Sequence, residues 1–420
     1  MTLSWNHISR QHISLIINIL ASLFFITVLM FKKGYSYVPM TLGGISVIYL
    51  LLYIFKFKKK WVLDKDDKWL IFAFLAYFAT FVMSTVVHGD GFREIDNPSR
   101  ILLFIPLILL FTQFPLKPQF IFHAIPIGAT VTGLLAIYQK FVLGLINPFP
   151  GVMSIQAGDI SITLGYLSIA ILFYSVLTKN HKLSTICLLG IILGLLASTL
   201  SMARGGWIAL PAVILSILFW YRHYLNKKLI LSIIGIFAIL STILISVPKF
   251  GVMQRYQAAE RDIIQYTQKN NKSTSLGARF DMWENAITGI KQNPILGWGS
   301  KGYIELKKQQ VAKKTMAKST LKFNDAHNQY IDAWVKRGLV GLIGLLLIIF
   351  VPFRAFLRQI NTLNLETRCI AILGSTHILA TIFYFMTQTF LAHNSGSLFY
   401  FFLVVLFYAM LKTSSKTDSL

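Results

Sequence analysis

Runs of about 17 to 23 apolar residues recur along the chain from Ile13 to Tyr408, divided by short stretches of charged and turn-forming residues. A run of that length crosses roughly 30 Å of hydrocarbon as an α-helix. Twelve spans are predicted: Ile13 to Phe31, then 38–55, 69–87, 100–113, 119–141, 160–178, 183–201, 206–221, 229–247, 338–353, 368–390 and 397–411. The first follows a segment bearing Arg10, is closed by Lys32 and Lys33, and has no small-x-small cleavage site. It reads as an uncleaved first helix, not a signal peptide.

Between the ninth and tenth spans the pattern changes. Residues 248–333 form a loop of about 85 residues with helical periodicity of its own. Residues 252–269 mix Val252, Met253, Tyr256, Ile263, Ile264 and Tyr266 with charges, an amphipathic helix. A second helix starts near Ser275 as N-cap and stops at Pro294. Its Leu276, Phe280, Trp283, Ile287 and Ile290 fall on one face, with Arg279 at the edge of that stripe and Asp281, Asn285 and Gln292 pointing away. The Lys-rich run containing Lys307, Lys308, Lys313, Lys314 and Lys318 reads as a solvated face or as an attraction to lipid phosphates. The chain thus divides into residues 1–247 with nine spans, the loop 248–333, and residues 334–420 with the last three spans and a short tail.

Composition agrees with this pattern. The chain is 55% hydrophobic and 13% charged, outside the usual soluble range. Cys187 and Cys369 both fall in apolar runs, so they read as buried small side chains and not as a disulfide or metal pair. The net charge of +24 is spread over loops on both membrane sides and forms no single stripe, which argues against nucleic-acid binding. With the N-terminus inside, the inner loops collect Lys56, Lys58, Lys59, Lys60, Lys65 and Lys68, then Lys117, Lys179, Lys182 and Arg222. The short outer loops hold Lys32, Lys33, Arg93 and Arg204. The positive-inside rule then places both termini inside and the large loop outside.

That topology brings three chemically capable side chains to the outer boundary. Arg204 lies in "SMARGGWIALP" after span seven, Arg279 in the loop, and His327 in "FNDAHNQYIDAWVKRGLVG" before span ten. If Asn324 or Asp325 caps a helix there, His327 sits in its first turn beside Tyr330, Ile331 and Trp334, and the helix N-terminus favours the neutral imidazole a general base requires. Structural readings stand beside these: Arg279 stacked on Trp283 or snorkelling, His327 as a packed ring, Arg204 as an interfacial anchor. Two arginines and a base suit an anionic group next to a hydroxyl, as in a lipid-linked sugar pyrophosphate, whose departing pyrophosphate gains charge in the transition state. Arginine's fork grips phosphate bidentately. Gly205 and Gly206 let backbone N–H groups approach, with the start of span eight aimed at the same place. Outside the membrane, Glu94 and Asp96 form an acidic i, i+2 pair that reads as solvent-exposed structure, and a metal-free site is expected.

At these residues the sequence resembles the O-antigen ligase family, which shares a membrane fold with O-antigen polymerases and protein-glycosylating ligases. The similar parts are "SMARGGW", "QRYQAAERDIIQYTQKNNKSTSLGARFDMWENAI" and "DAHNQYIDAWVKRGLVG", together with twelve spans and one large loop before span ten. The resemblance implies an all-α polytopic protein of the bacterial inner membrane with cytoplasmic termini and a helical periplasmic loop. It implies transfer of O-antigen polysaccharide from undecaprenyl pyrophosphate to a sugar hydroxyl on lipid A-core in lipopolysaccharide biosynthesis, without metal, ATP or other cofactor. Arg204 and Arg279 would hold the pyrophosphate and His327 would activate the acceptor, with Gly205, Gly206, Trp207, Asn328 and Tyr330 completing the substrate contacts. An O-antigen polymerase with the same donor class is the neighbouring alternative. A twelve-span secondary transporter is the alternative of another class, disfavoured because the link between spans six and seven is only Lys179 to Lys182 and the spans are poor in acidic residues.

Overall fold

The computed structural model describes residues 2–203, 205–226, 252–269 and 274–417, and between them Lys228, Gly235, Ile239, Thr242, Ser246, Val247, Asn271 and Lys272. The predicted span 229–247 therefore lies almost wholly outside the described residues, and Arg204 lies outside them as well.

Every regular element among the described residues is helical. The first half of the chain forms α1 (Thr2–Thr27), α2 (Gly34–Leu51), α3 (Lys65–His88), the short α4 (Arg93–Ser99), α5 (Ile105–Gln113) and α6 (Pro118–Ile137). It continues with α7 (Ser154–Leu177), α8 (His181–Leu200) and α9 (Ala209–Tyr221). The loop supplies α10 (Val252–Lys269), α11 (Ser275–Gln292) and α12 (Gly299–Ala312), and the chain closes with α13 (Gln329–Leu357), α14 (Leu365–Thr387) and α15 (Asn394–Thr417). Eleven helical segments among the described residues are long and apolar enough to cross a membrane, and each coincides with one of the predicted spans. The protein is an all-α polytopic membrane protein.

Burial sorts these helices by role. α7, α14 and α15 are enclosed along most of their length, whereas α1 and α2 keep broad apolar faces outward, as helices bathed in lipid do. Aromatic rings bind the centre to the periphery: Phe402 of α15 meets Phe24 of α1 at 4.7 Å and Phe401 meets Phe74 of α3 at 5.2 Å, both edge-to-face. One end of the bundle is closed by charge. Asp64 caps α3 in a reciprocal capping box with Asp67. Lys412 of α15 pairs with Asp64 at 2.7 Å and with Asp67, whose Oδ1 accepts from the Tyr408 hydroxyl at 2.9 Å.

The loop is seated on the opposite end. Asp90, just past α3, accepts from the backbone N–H groups of Ser300 and Lys301 at 2.8 and 3.0 Å, the orphan donors at the start of α12. Glu94 accepts from the Ser300 hydroxyl at 2.7 Å and Asp96 pairs with Arg100, so both acids are engaged with protein while staying exposed. α13 is broken at Gly338 (φ 64°), where any side chain would be driven into the Ile295 carbonyl. The loop is stapled to both sides of the break: Trp298 N–H donates to Val335 O at 2.9 Å and Trp334 Nε1 donates to Pro294 O, which also accepts from Leu339 N–H just past Gly338.

Three expectations about the loop need correction. The second loop helix is capped by Thr274, which accepts from Gly277 N–H at 3.1 Å, and not by Ser275. Its inner face is Gly277, Asp281, Met282, Asn285, Ala286, Gly289 and Ile290, while Ile287 is exposed. Asp281 and Asn285 thus point inward: the same face that packs Ala286 and Ile290 against Tyr303, Leu306 and Val335 also carries polar groups that bond within the loop. Asp281 receives Lys272 at 2.7 Å, Ala317 N–H at 2.8 Å and the Asn285 amide at 3.2 Å. Thirdly, Lys307 is buried against the Tyr303 ring, not solvated, and donates to Thr320 O and Phe323 O, although Lys308, Lys313, Lys314 and Lys318 are exposed.

Candidate active site

The end of the bundle beneath the loop gathers residues from five separate stretches. The first is the turn after α8. Ser201 to Ala203 press so closely on α7 that a side chain on Gly158 would come within 2.6 Å of Ser201 Oγ. Gly205 to Ile208 then form a 3-10 turn leading into α9. A Cβ on Gly206 would meet Ile162 at 2.8 Å and Asp159 Oδ1 at 2.9 Å, and one on Gly205 would meet Thr387 Oγ1 at 2.7 Å. The glycines are there because the backbone lies directly on side chains of α7 and α14. Tyr166 fixes the turn further by donating to Gly206 O at 3.0 Å. Trp207 is half-buried against the core.

Asp159, fully buried in the second turn of α7, is the residue the sequence reading overlooked. It takes a hydrogen bond from the Gln388 amide, and its Oδ1 has no hydrogen-bond partner among the described residues. The positive charge of Arg279, half-buried on α11, acts on it. A carboxylate inside a span is expensive unless it faces cations or a polar cavity, so it marks a functional locus by default. The signal was present in "AGDIS", but span six was drawn to begin at residue 160, one residue too late to include it.

The end of α14 and the turn after it, residues 386–391, join the parts. Met386 O accepts from the Asn328 amide at 3.2 Å, Thr387 lies over Gly205, Gln388 holds Asp159, and Leu391 N–H donates to Gln329 Oε1 at 2.8 Å. Gln388 also accepts from Gln156 at 3.1 Å. No motif in the sequence announced this segment, because its groups act through backbone atoms and amides.

His327 is placed differently from the expectation. The N-cap of α13 is Asn328, which accepts from Tyr330 N–H and Ile331 N–H at 3.0 and 3.1 Å. His327 therefore precedes the cap and is not in the first turn. Its backbone is left-handed (φ 49°), a conformation that costs a non-glycine residue about 1 kcal/mol or more and that clusters at functional sites. Asp325 holds it there, accepting from His327 N–H at 2.8 Å and lying 3.1 Å from Nδ1. Burial raises the Asp325 carboxyl, but the hydrogen bond and charge of His327, aided by Lys336, outweigh it and hold the group below the usual carboxylate range. The ring rests edge-on against Phe323 at 4.6 Å. His393, at the start of α15, feels both Asp325 and His327. Burial sets the direction and pushes its imidazole down.

The loop helix carrying Arg279 is tied to the His327 segment by Trp283, whose Nε1 donates to Ala326 O at 2.9 Å. Arg279, His327, Gly205 and Gly206 are thus joined through Asp159, Trp283 and residues 386–391 at one end of the bundle. Tyr330 is turned into the bundle, where its hydroxyl donates to Ile382 O at 3.0 Å, and Asn328 is occupied as a cap.

The model of the O-antigen ligase family matches residues 189–346, a stretch containing the glycine turn, the loop and the His327 segment. The chain is 53% identical over 394 residues to an uncharacterized protein of Haemophilus influenzae, an alignment spanning 94% of this chain and 98% of that one. It is also 29% identical over 177 residues to the O-antigen ligase of Escherichia coli, spanning 42% of this chain and 41% of that protein.

Proposed function

Starting from the fact that this chain belongs to the O-antigen ligase superfamily, we propose that it is a glycosyltransferase that ligates O-antigen polysaccharide from undecaprenyl pyrophosphate onto lipid A-core. The reaction would take place at the periplasmic face of the inner membrane. The observation that carries the reading is the joining of the Gly205–Gly206 turn, Arg279 and the Asp325–His327 pair at one end of the bundle.

In the proposed reaction His327 takes the proton of the acceptor hydroxyl. Asp325 occupies Nδ1 and orients the ring, leaving Nε2 for the proton, a division of labour familiar from carboxylate–histidine pairs. The acceptor oxygen bonds to the anomeric carbon of the donor sugar as the bond from that carbon to the pyrophosphate oxygen breaks. The electron pair leaves on the pyrophosphate, where Arg204, Arg279 and the N–H groups of the glycine turn stabilise the growing charge. No nucleotide or metal is required by this balance.

Reconstitution of the purified protein with a lipid-linked polysaccharide donor and lipid A-core acceptor tests the proposal. Transfer of intact polymer to lipid A-core, unaffected by chelator and lost in Arg204→Ala, Arg279→Ala and His327→Ala, is the expected result. Arg204→Lys should also lose most activity, because a point charge lacks the fork. Extension of one lipid-linked polymer by another would assign a polymerase, and solute uptake into vesicles would assign a transporter.

A further inference from the structure

A second place on the molecule, at the membrane boundary opposite the candidate active site, is shaped for an amphiphile. A crevice of about 870 Å³ runs between α1, α2 and α5. One wall is Ile13, Ile17 and Leu20 of α1, two helical turns extending roughly 10 Å into the bilayer. The facing wall is Ile45 and Leu52, with Leu110 behind. These walls are mostly apolar, with Tyr49 and Tyr53 among them, and Ile13, Ile45 and Leu52 are exposed, so the crevice opens sideways to lipid.

Its mouth is cationic. Arg10 is the first residue of the α1 span and Lys59 follows the end of the α2 span, so both lie where the two antiparallel helices leave the membrane. Arg10 is steadied by its hydrogen bond to Gln113 O at 3.1 Å, and Lys59 stands 5.9 Å from the Tyr53 ring. Among the described residues no acidic side chain lines the crevice. Two cations at the ends of spanning helices, with no acid beside them in the lining and an apolar crevice next to them, are complementary to one class of occupant.

We propose that this crevice binds a glycerophospholipid with a net anionic headgroup, its phosphate between Arg10 and Lys59 and one acyl chain lying between α1 and α2. The lipid fills the gap that side chains leave between these two peripheral helices and fastens them to α5. Basic pockets between spanning helices select anionic headgroups by charge, whereas the apolar walls accept any acyl chain.

Native mass spectrometry of the full chain in detergent, with dioleoyl phosphatidylglycerol or dioleoyl phosphatidylethanolamine added at equal concentration, tests this. The wild type should retain one phosphatidylglycerol about tenfold better than phosphatidylethanolamine, given two basic side chains near the headgroup. Arg10→Gln/Lys59→Gln should bring the two lipids to the same level, and Lys313→Ala/Lys314→Ala in the loop should change nothing. Ile17→Trp, which fills the slot, should lower retention of both lipids. Equal retention of the two lipids by the wild type, undiminished phosphatidylglycerol on the double variant, or retention indifferent to Ile17→Trp would each overturn the proposal. A thermal melt within a few degrees of wild type shows that each variant is folded.

Discussion

Asp159 and Asp281 are both fully buried, yet they are held in opposite ways. Asp281, in the loop, is surrounded: Lys272, the Ala317 N–H and the Asn285 amide all bond to it. Asp159, in α7, has Gln388 on one oxygen, the glycine turn across the other and the charge of Arg279 nearby. A saturated buried carboxylate organises a scaffold, since removing its partners would strand a charge. One left with acceptor capacity near a cation shapes a site. The difference separates the loop's own core from the place where the loop meets the bundle.

The strongest way to sharpen this contrast is to remove the groups that Asp159 and Asp325 support. Arg279→Ala and His327→Ala should each lower the transfer rate by about a hundred- to a thousandfold with membrane protein levels unchanged. Rates within threefold of wild type in the reconstituted assay would dissolve the contrast from the functional side. Asp281→Asn should do the reverse. It deletes the partner of Lys272 and costs about 3 kcal/mol of stability, read as a lower melting temperature, while the surviving folded fraction turns over normally. A smaller effect is expected of Asp159→Asn, which keeps the volume and an acceptor for Gln388: a ten- to thirtyfold loss of rate, about 2 kcal/mol in barrier height, without a shift in melting temperature. If it melts early and its rate is intact, Asp159 belongs with Asp281.

The mildest effect is a pH slope. Burial, reinforced by the charge of Lys336, pushes Lys307 down from 10.5 to about 8. Below about pH 8 the folded and unfolded chains both carry this charge, and the cost of burying it is felt in full. Between about pH 8 and 10.5 the unfolded chain binds the extra proton, so stability rises with pH. Lys307→Met should flatten that part of the wild-type curve, as measured by chemical denaturation at several pH values.

Much of this architecture was legible because lipid imposes a simple demand. A span must be continuously apolar and long enough, and the eleven helices found coincide with predicted runs for that reason. The loop obeys different rules. Its helices pack on one another, so a polar residue can be the inner one, and the apolar stripe of 275–292 misjudged which face turns inward by missing Asp281 and Asn285. At the candidate site, Arg279 and His327 stand out in the sequence because charge and imidazole are conspicuous among apolar residues. Asp159 fell one residue outside its assigned span, and the placement of His327 before the cap depended on Asn328 competing successfully with Asn324 and Asp325 for α13.

The break in α13 has a mechanical meaning. Residues 329–337 are stapled to the loop through Trp298 and Pro294 and to the segment after α14 through Gln329, whereas the remainder of the helix runs on as a spanning segment. A spanning helix tilts as the local thickness of its membrane changes. A continuous rod would carry that tilt straight to His327. With the helix broken at Gly338, the piece that leads from the His327 segment takes its direction from the loop, and the spanning piece need not share it.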